Sequence, residues 1–189
     1  MLGWIFLIII IACVIYLVTV YNQLVNIKHE VGKCWSNIDV LLKQRHDELP
    51  KLVDTCQQYM AHERETLEAV VLARSNVAKA RKSGDITTLG DAESTLRLGL
   101  GNLFALSEKY PELKANETFK RLQQRITQIE NNIADRRELY NDAVNSNNIA
   151  IEQFPAVIVA RSFNFAPATL LEFADHDLAD PDLASMFSN

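Results

Sequence analysis

Residues 24–56 read LVNIKHEVGKCWSNIDVLLKQRHDELPKLVDTC, and the number of helices in the chain turns on how this stretch is read. Leu24, Ile27, Val31, Trp35, Ile38 and Leu42 recur at three- and four-residue steps, the period that lines one face of an α-helix. Gly32 costs such a helix about 1 kcal/mol relative to alanine, which this row of apolar anchors outweighs. Leu49 then precedes Pro50. A proline disfavours the α conformation in the residue before it and suits the first turn of a new helix, so the spacing predicts a turn at Pro50 with a second helix starting there. If Pro50 only kinked one long helix, the helical body would have three helices instead of four.

On the N-terminal side nothing would break the first helix, but the chain changes character. Residues 2–21 read LGWIFLIIIIACVIYLVTVY and carry no charge. Twenty residues make about 30 Å of helix, the hydrocarbon thickness of a bilayer, which predicts a single transmembrane helix over 2–21. Trp4 at one end and Tyr16 and Tyr21 towards the other fit interfacial aromatic belts. A cleaved signal peptide fits less well: no Lys or Arg precedes the run, the run is too long, and no small-x-small site follows. Ile10-Ile11-Ala12-Cys13 resembles the end of a lipoprotein signal, but the chain stays largely apolar from Val14 to Tyr21, where a lipoprotein would turn polar. Lys28 and Lys33 follow the span and no base precedes it, so the positive-inside rule tips the body towards the cytoplasmic side. Cys34 and Cys56 sit among helical core positions and do not form a disulfide framework.

On the C-terminal side the same period continues between sparse prolines at 50, 111, 155, 167 and 181. Val53, Cys56, Met60, Leu67 and Val70 make the stripe of a second helix. It ends at Lys79, Arg81 and Lys82 before Ser83-Gly84, cations in the last turn and a glycine stop, with a short loop from Asp85 to Thr88. A third helix carries Leu89, Ala92, Leu96, Leu103, Leu106 and Tyr110, with Gly99 and Gly101 thinning its middle for a close neighbour, and stops at Pro111. The fourth opens at the N-cap Asn116 and runs through Phe119, Leu122, Ile126, Ile129, Ile133, Tyr140, Val144 and Ile151 to Pro155. The expected fold is all-α: a transmembrane helix continuing into an elongated up-and-down four-helix bundle. Its organisation is a membrane helix at 2–21, the bundle at 22–153, an apolar segment at 154–171 and an acidic tail at 172–189. The apolar segment contains FPAVIVARSFNF (154–165), which needs a cover; packing back as a cap is the preferred reading, and contact with the bilayer surface or another subunit the alternative.

The formal charge of −5 belongs to the tail alone, where Glu172, Asp175, Asp177, Asp180 and Asp182 meet no Lys or Arg. This layout rules out a strongly basic nucleic-acid binder, and the 48% apolar content rules out a disordered chain. The tail reads as a solvated terminus.

No catalytic, cofactor-binding or metal-ligating set emerges. None of His29, His46, His62 and His176 stands three residues after a glutamate, as a ferritin-like di-iron site requires. His62-Glu63 starts a zincin-like string, but Thr66 occupies the second histidine's place. The cysteines lack CxxC spacing, Gly99 and Gly101 sit inside a helical stripe where a phosphate loop cannot form, and there is no nucleophile elbow. Acids and bases alternate along the helices as in solvated, ion-paired faces. Arg45, His46, Arg74, Arg136 and Asn147 interrupt the apolar stripes, and buried polar groups must be paired. Internal pairing, with Asp39, Asp47 or Glu130 as the acids, is the commoner solution; an opening towards a partner is the other.

Many of these residues also carry a resemblance. Tyr21-Asn22-Gln23-Leu24-Val25, Trp35, Ile38-Asp39-Val40, Lys43-Gln44-Arg45-His46-Asp47, Leu49-Pro50, His62-Glu63 and Ala73-Arg74 resemble the LemA family in order and spacing. So do Tyr110-Pro111-Glu112-Leu113-Lys114-Ala115-Asn116, Glu130-Asn131, Arg136-Arg137, Tyr140-Asn141 and Phe154-Pro155. The resemblance implies an N-terminally anchored four-helix protein of the bacterial cytoplasmic (inner) membrane, single-pass, without a catalytic centre. One branch of the family is tied to magnetosome membranes, and others are associated with HtpX-like membrane zinc proteases. The function expected is a non-enzymatic scaffold or adaptor that binds itself as a homo-oligomer or a membrane protein partner. The alternative is a bundle that senses a ligand between its helices and signals to a membrane partner.

Overall fold

The computed structural model describes residues 2–173. Among them there is no strand, and six helices follow one another: α1 (Leu2–Gln57), α2 (Arg64–Ser83), α3 (Ile86–Ser107), α4 (Pro111–Ala115), α5 (Glu117–Glu152) and α6 (Ala156–Ser162). From residue 174 the expected acidic tail lies outside the described residues.

Four of the helices are long, but the first does not end where the sequence predicts. Pro50 lies inside α1, which continues to Gln57, and the turn to α2 comes at residues 58–63. An interior proline costs a helix roughly 3 kcal/mol, because it removes one hydrogen bond and crowds the carbonyl one turn before it. Here apolar burial holds the helix on either side: Leu49, Leu52 and Cys56 are fully buried, and Val53 nearly so. The chain stops where Met60, also fully buried, closes the last turn with its N–H on the Cys56 carbonyl at 2.8 Å.

The remaining boundaries follow from local chemistry. α2 ends at Gly84, whose φ of +73° is left-handed and suits a residue without a Cβ. The loop expected over 85–88 is shorter than that: Asp85 is already the N-cap of α3, its carboxylate accepting from the Thr87 and Thr88 N–H groups. The Thr88 hydroxyl, donating to the same carboxylate at 2.6 Å, and then these backbone bonds hold its carboxyl below the usual carboxylate range. Pro111 stands at the start of α4, and Asn116 caps α5 by accepting from the N–H groups of Thr118 at 2.8 Å and Phe119 at 3.1 Å. Every apolar position assigned to the α5 stripe, from Phe119 to Ile151, is buried.

The described residues group into two units, 2–40 with 133–170 and 41–132 with 171–173, and α1 and α5 each contribute to both. In the first unit Trp35 packs on Tyr140 with ring centroids 5.7 Å apart, and Ile38, Ile133 and Val144 are buried. In the second, α2 and α3 form a packed hairpin, with Leu67, Val70, Val77, Leu89, Leu96 and Leu103 in the core. The close approach expected at Gly99 and Gly101 is made instead at Gly90. A Cβ on Gly90 would stand 1.9 Å from the Glu172 carbonyl oxygen, whereas one on Gly99 would meet Val70 at an ordinary 3.6 Å and one on Gly101 would meet nothing within 4 Å.

Candidate functional site

Two regions of the molecule hold the chemistry that the sequence singles out, one in each unit. In the first, residues 4–18 form the exposed part of α1. Large apolar side chains from Trp4 to Val18 are open on all faces, which no helix of a water-soluble protein sustains. Among the described residues this is the one helix long and apolar enough to cross a membrane.

Burial of α1 begins at Val20 and Leu24, which pack with Ile151, Val159 and Ala160, flanked by Ala150, Ala156 and Phe165. The segment that provides these contacts is α6 and its exit. Phe163 approaches the Tyr21 ring at 4.8 Å and Phe165 at 5.9 Å, and the Lys28 ammonium lies 6.0 Å from the Phe165 ring. Asn164 turns the chain at a φ of 54°, a left-handed conformation that asparagine tolerates, and the Phe165 N–H closes on the Ala160 carbonyl at 2.9 Å.

After that turn the chain is extended, and α5 holds it by side-chain amides. Asn148 donates to the Ala168 carbonyl at 3.0 Å and accepts from the Ala168 N–H at 2.9 Å. Asn147, which is buried, donates to the Ala166 carbonyl, and the Tyr140 hydroxyl donates to the Thr169 carbonyl at 2.9 Å. Asn147 therefore interrupts its stripe in order to tie down this strap. The strap belongs to the segment 154–171 expected to pack back as a cap, and its extended backbone has no periodicity of its own.

The second region surrounds Arg45, a fully buried guanidinium. Its Nη2 donates to Glu93 Oε1 and its Nη1 to Glu130 Oε1 at 2.7 Å, while Arg97 Nε stands 3.8 Å from Glu130 Oε2. Glu130 is one of the three acids expected to pair the polar residues of the stripes, and Glu93 is one that sequence reasoning missed. Burial alone would push the Arg45 guanidinium down, but Glu93 and Glu130 outweigh it and hold the group above its ordinary value. The Glu93 carboxyl is raised, because desolvation exceeds what Arg45 returns. Of the other two expected acids, Asp39 is half-buried on α1, and Asp47 is exposed and its charge acts on His46.

Arg74 and His46 explain each other and Pro50. Arg74 Nε donates to the His46 carbonyl at 2.9 Å, and its Nη2 lies 2.8 Å from His46 Nε2. His46 is four residues before Pro50, so its carbonyl is the one that the proline nitrogen leaves without a helical donor. The guanidinium supplies that donor from α2. Because arginine can only donate, His46 Nε2 must accept, which assigns a neutral imidazole protonated at Nδ1. Burial, and then the Arg74 charge, lower the His46 pKa accordingly. Arg136 takes no part in either cluster and is exposed on α5.

These placements bear on the ligand-sensing alternative. A groove of about 910 Å³ lies in the second unit between the end of α1 and α2, lined by apolar Val53, Met60, Leu67 and Val71, among others. Two of its charged lining residues, Arg64 and Glu68, bind each other at 2.6 Å on the outer surface. Arg45 and Glu93 face each other in the interior, and neither lines that groove. Among the described residues no three His, Cys, Asp or Glu side chains come together as a metal site.

Comparison with known proteins finds one family model, described as the LemA family, that matches residues 34–184. Magnetosome protein MamQ 2 of Paramagnetospirillum magneticum is 27% identical over 71% of this chain and 58% of its own length. Magnetosome protein MamQ of Magnetospirillum gryphiswaldense is 25% identical over the same shares. Protein LemA of Metamycoplasma hominis is 25% identical over 87% of this chain and 74% of that protein. The chain thus spans less than two thirds of the length of the MamQ relatives it matches.

Proposed function

The chain belongs to the LemA family, and from that membership and its exposed apolar helix we propose that it is a non-enzymatic scaffold or adaptor anchored in a membrane. The observation that carries this reading is α1 itself. From Trp4 to Val18, about four turns, its large apolar side chains are uncovered, and the same helix continues into a body where Arg45 is held by Glu93 and Glu130 and Arg74 by the His46 carbonyl. Such a molecule offers a fixed position at a surface and long helical faces, which suit a scaffold.

Apolar side chains remain exposed on those faces, among them Val40, Val71, Leu72, Leu139 and Ile149, and they supply the contact surface for a second copy or a membrane protein. A membrane zinc protease of the HtpX type is the first heterologous partner to test, and the bacterial inner membrane the first location. Crosslinking the full chain in its own membranes, followed by mild-detergent purification and mass spectrometry, tests the reading. Crosslinks that join these faces to a second copy or to one membrane protein are the expected result. Recovery of monomer alone, with no crosslinked partner, would overturn it.

A further inference from the structure

We propose that α6 and the phenylalanines flanking it form a second membrane contact, an apolar platform that lies in the headgroup and upper acyl region of the same bilayer that α1 enters. The proposal rests on the anchor reading and adds a separate site to it. Its first support is depth. If residues 2–21 fill the hydrocarbon layer, Leu17 and Val18 lie about 5–6 Å inside the boundary marked by Tyr21, by helical rise. Those residues and Tyr21 share one apolar groove of about 360 Å³ with Ile158, Val159, Ser162 and Phe163. With Val159 and Ala160 also packed on Val20 and Leu24, α6 spans the levels from Leu17 to Leu24 that straddle this boundary, and about 5–10 Å below the surface is where interfacial helices settle.

The second support is exposure. Val159 and Ala160 are buried against Val20 and Leu24, which fixes the short helix to α1. Around that contact large apolar side chains stay open: Phe154, just before α6, is 81% exposed, Ile158 within it 56%, and Phe163, just after it, 61% even with its ring beside Tyr21. Facing water, three large side chains so placed would be an aggregation hazard; facing the acyl chains that already surround Leu17 and Val18, they are solvated like the span itself. The polar residues agree. Arg161 is the single charge between residues 153 and 165 and is exposed, and Lys28 stands beside Phe165, one to two turns beyond the end of the span. Both bases have aliphatic stems long enough to reach lipid phosphates from that level.

The cap reading and the membrane reading of this segment thus describe its buried and its open side chains. One consequence is that the platform fixes the rotation of α1 about its axis, because only one azimuth of the span carries α6.

Spin labels on the full chain in phosphatidylcholine–phosphatidylglycerol vesicles test this. In a Cys13→Ala/Cys34→Ser background, with buried Cys56 left in place, single labels go at Phe154→Cys, Ile158→Cys and Phe163→Cys. Ile10→Cys serves as the mid-span control and Gln128→Cys as the aqueous one. The expected result is that all three platform labels collide with oxygen more than with a water-soluble nickel chelate. Their nickel rates should fall several-fold below that of Gln128→Cys, and their depth should be shallower than that of Ile10→Cys. If Ile10→Cys is lipid-embedded while the platform labels match Gln128→Cys, the platform is refuted and the anchor stands. If Ile10→Cys is itself open to nickel, the anchor reading fails and the platform with it. Dipolar broadening between platform labels, lost on dilution with unlabelled chain and unaccompanied by oxygen contact, would assign the face to a second copy and also overturn the proposal.

Discussion

Replacing Arg45 by methionine keeps the volume and removes the charge, leaving Glu93 facing an empty site with no exposure of its own. Breaking a fully buried pair by deleting one partner costs about 3–5 kcal/mol, a large part of the stability of an ordinary domain. Glu130 loses less, because it is partly exposed and has Arg97 Nε at 3.8 Å to turn to. For a chain of this size the cost corresponds to roughly 6–20 °C in Tm. Arg45→Met combined with Glu93→Leu removes both charges and should return most of the loss, since apolar replacement of whole buried pairs is often neutral. The pH dependence is set by Glu93. Its folded carboxyl titrates above the ordinary 4.5 because burial opposes the charge, and without Arg45 it should rise further. A group with a raised folded pKa contributes stability below its unfolded pKa and loses it as pH rises through the folded one. The Arg45→Met penalty should therefore be largest at neutral pH and shrink as pH falls towards 4.5. Thermal and guanidinium unfolding of the full chain in detergent, followed by far-UV circular dichroism, gives all three quantities. An Arg45→Met variant as stable as the parent but unable to self-associate would refute the internal-pairing argument and return Arg45 to a docking role.

Arg74→Met should cost about 1–3 kcal/mol by stranding the His46 carbonyl. Pro50→Ala, which restores a backbone donor to that carbonyl, should reduce the penalty, and additive effects in the double variant would sink the explanation. His46, held neutral by burial and by Arg74, contributes stability above its ordinary 6.5 that is lost as pH falls below it; an ordinary or raised value by NMR titration would contradict this. Gly90→Ala should destabilise by about 1–3 kcal/mol, since its Cβ meets backbone that must move, as seen in the same unfolding assay. Gly101→Ala, in open space within α3, should instead stabilise by about 0.5–1 kcal/mol, and the reverse order would show that Glu172 is not packed on α3. Burial pushes the Cys56 thiol up to about 12, so iodoacetamide at pH 8 should spare it in the native chain and modify it after unfolding; mass spectrometry showing native labelling would place it at the surface.

The apolar stripes were legible because burial and period say the same thing along α5, where each apolar position named from sequence lies in the core. The Asn116 cap was legible for a local reason, a side chain that bonds two orphan N–H groups within three residues. Pro50 misled because its conformational bias was read without its register. Leu42, Arg45, Leu49, Leu52 and Cys56 are all buried at alternating three- and four-residue steps that pass through the proline without a slip. A helix that ended there would have restarted its phase. The same correction finds Glu93: the buried row of α3 runs Leu89, Glu93, Leu96, Leu100, Leu103 and Ser107, so a carboxylate occupies a core position. Gly90 was not legible, since its contact with the backbone at Glu172 leaves no periodic trace in α3.

The polar side chains that break the stripes carry a consequence for how the protein binds. Each could have been an open position offered to a partner, yet Arg45 closes on Glu93 and Glu130, Arg74 replaces the donor that Pro50 lacks, and Asn147 holds the strap. These three bond internally, and their directional bonds favour the helix register in which they form, although Arg45 Nε, Glu93 Oε2 and Glu130 Oε2 stay buried without a hydrogen-bond partner among the described residues. Exchanging these residues should unfold or loosen the protein before it alters a binding preference. On the proposed scaffold reading, recognition falls to residues whose removal leaves the interior intact, the exposed apolar side chains of the outer faces and the proposed platform beside the span. For a protein held at a membrane that separation is useful, because association can be tuned on the outside without disturbing the buried network that keeps the helices in register.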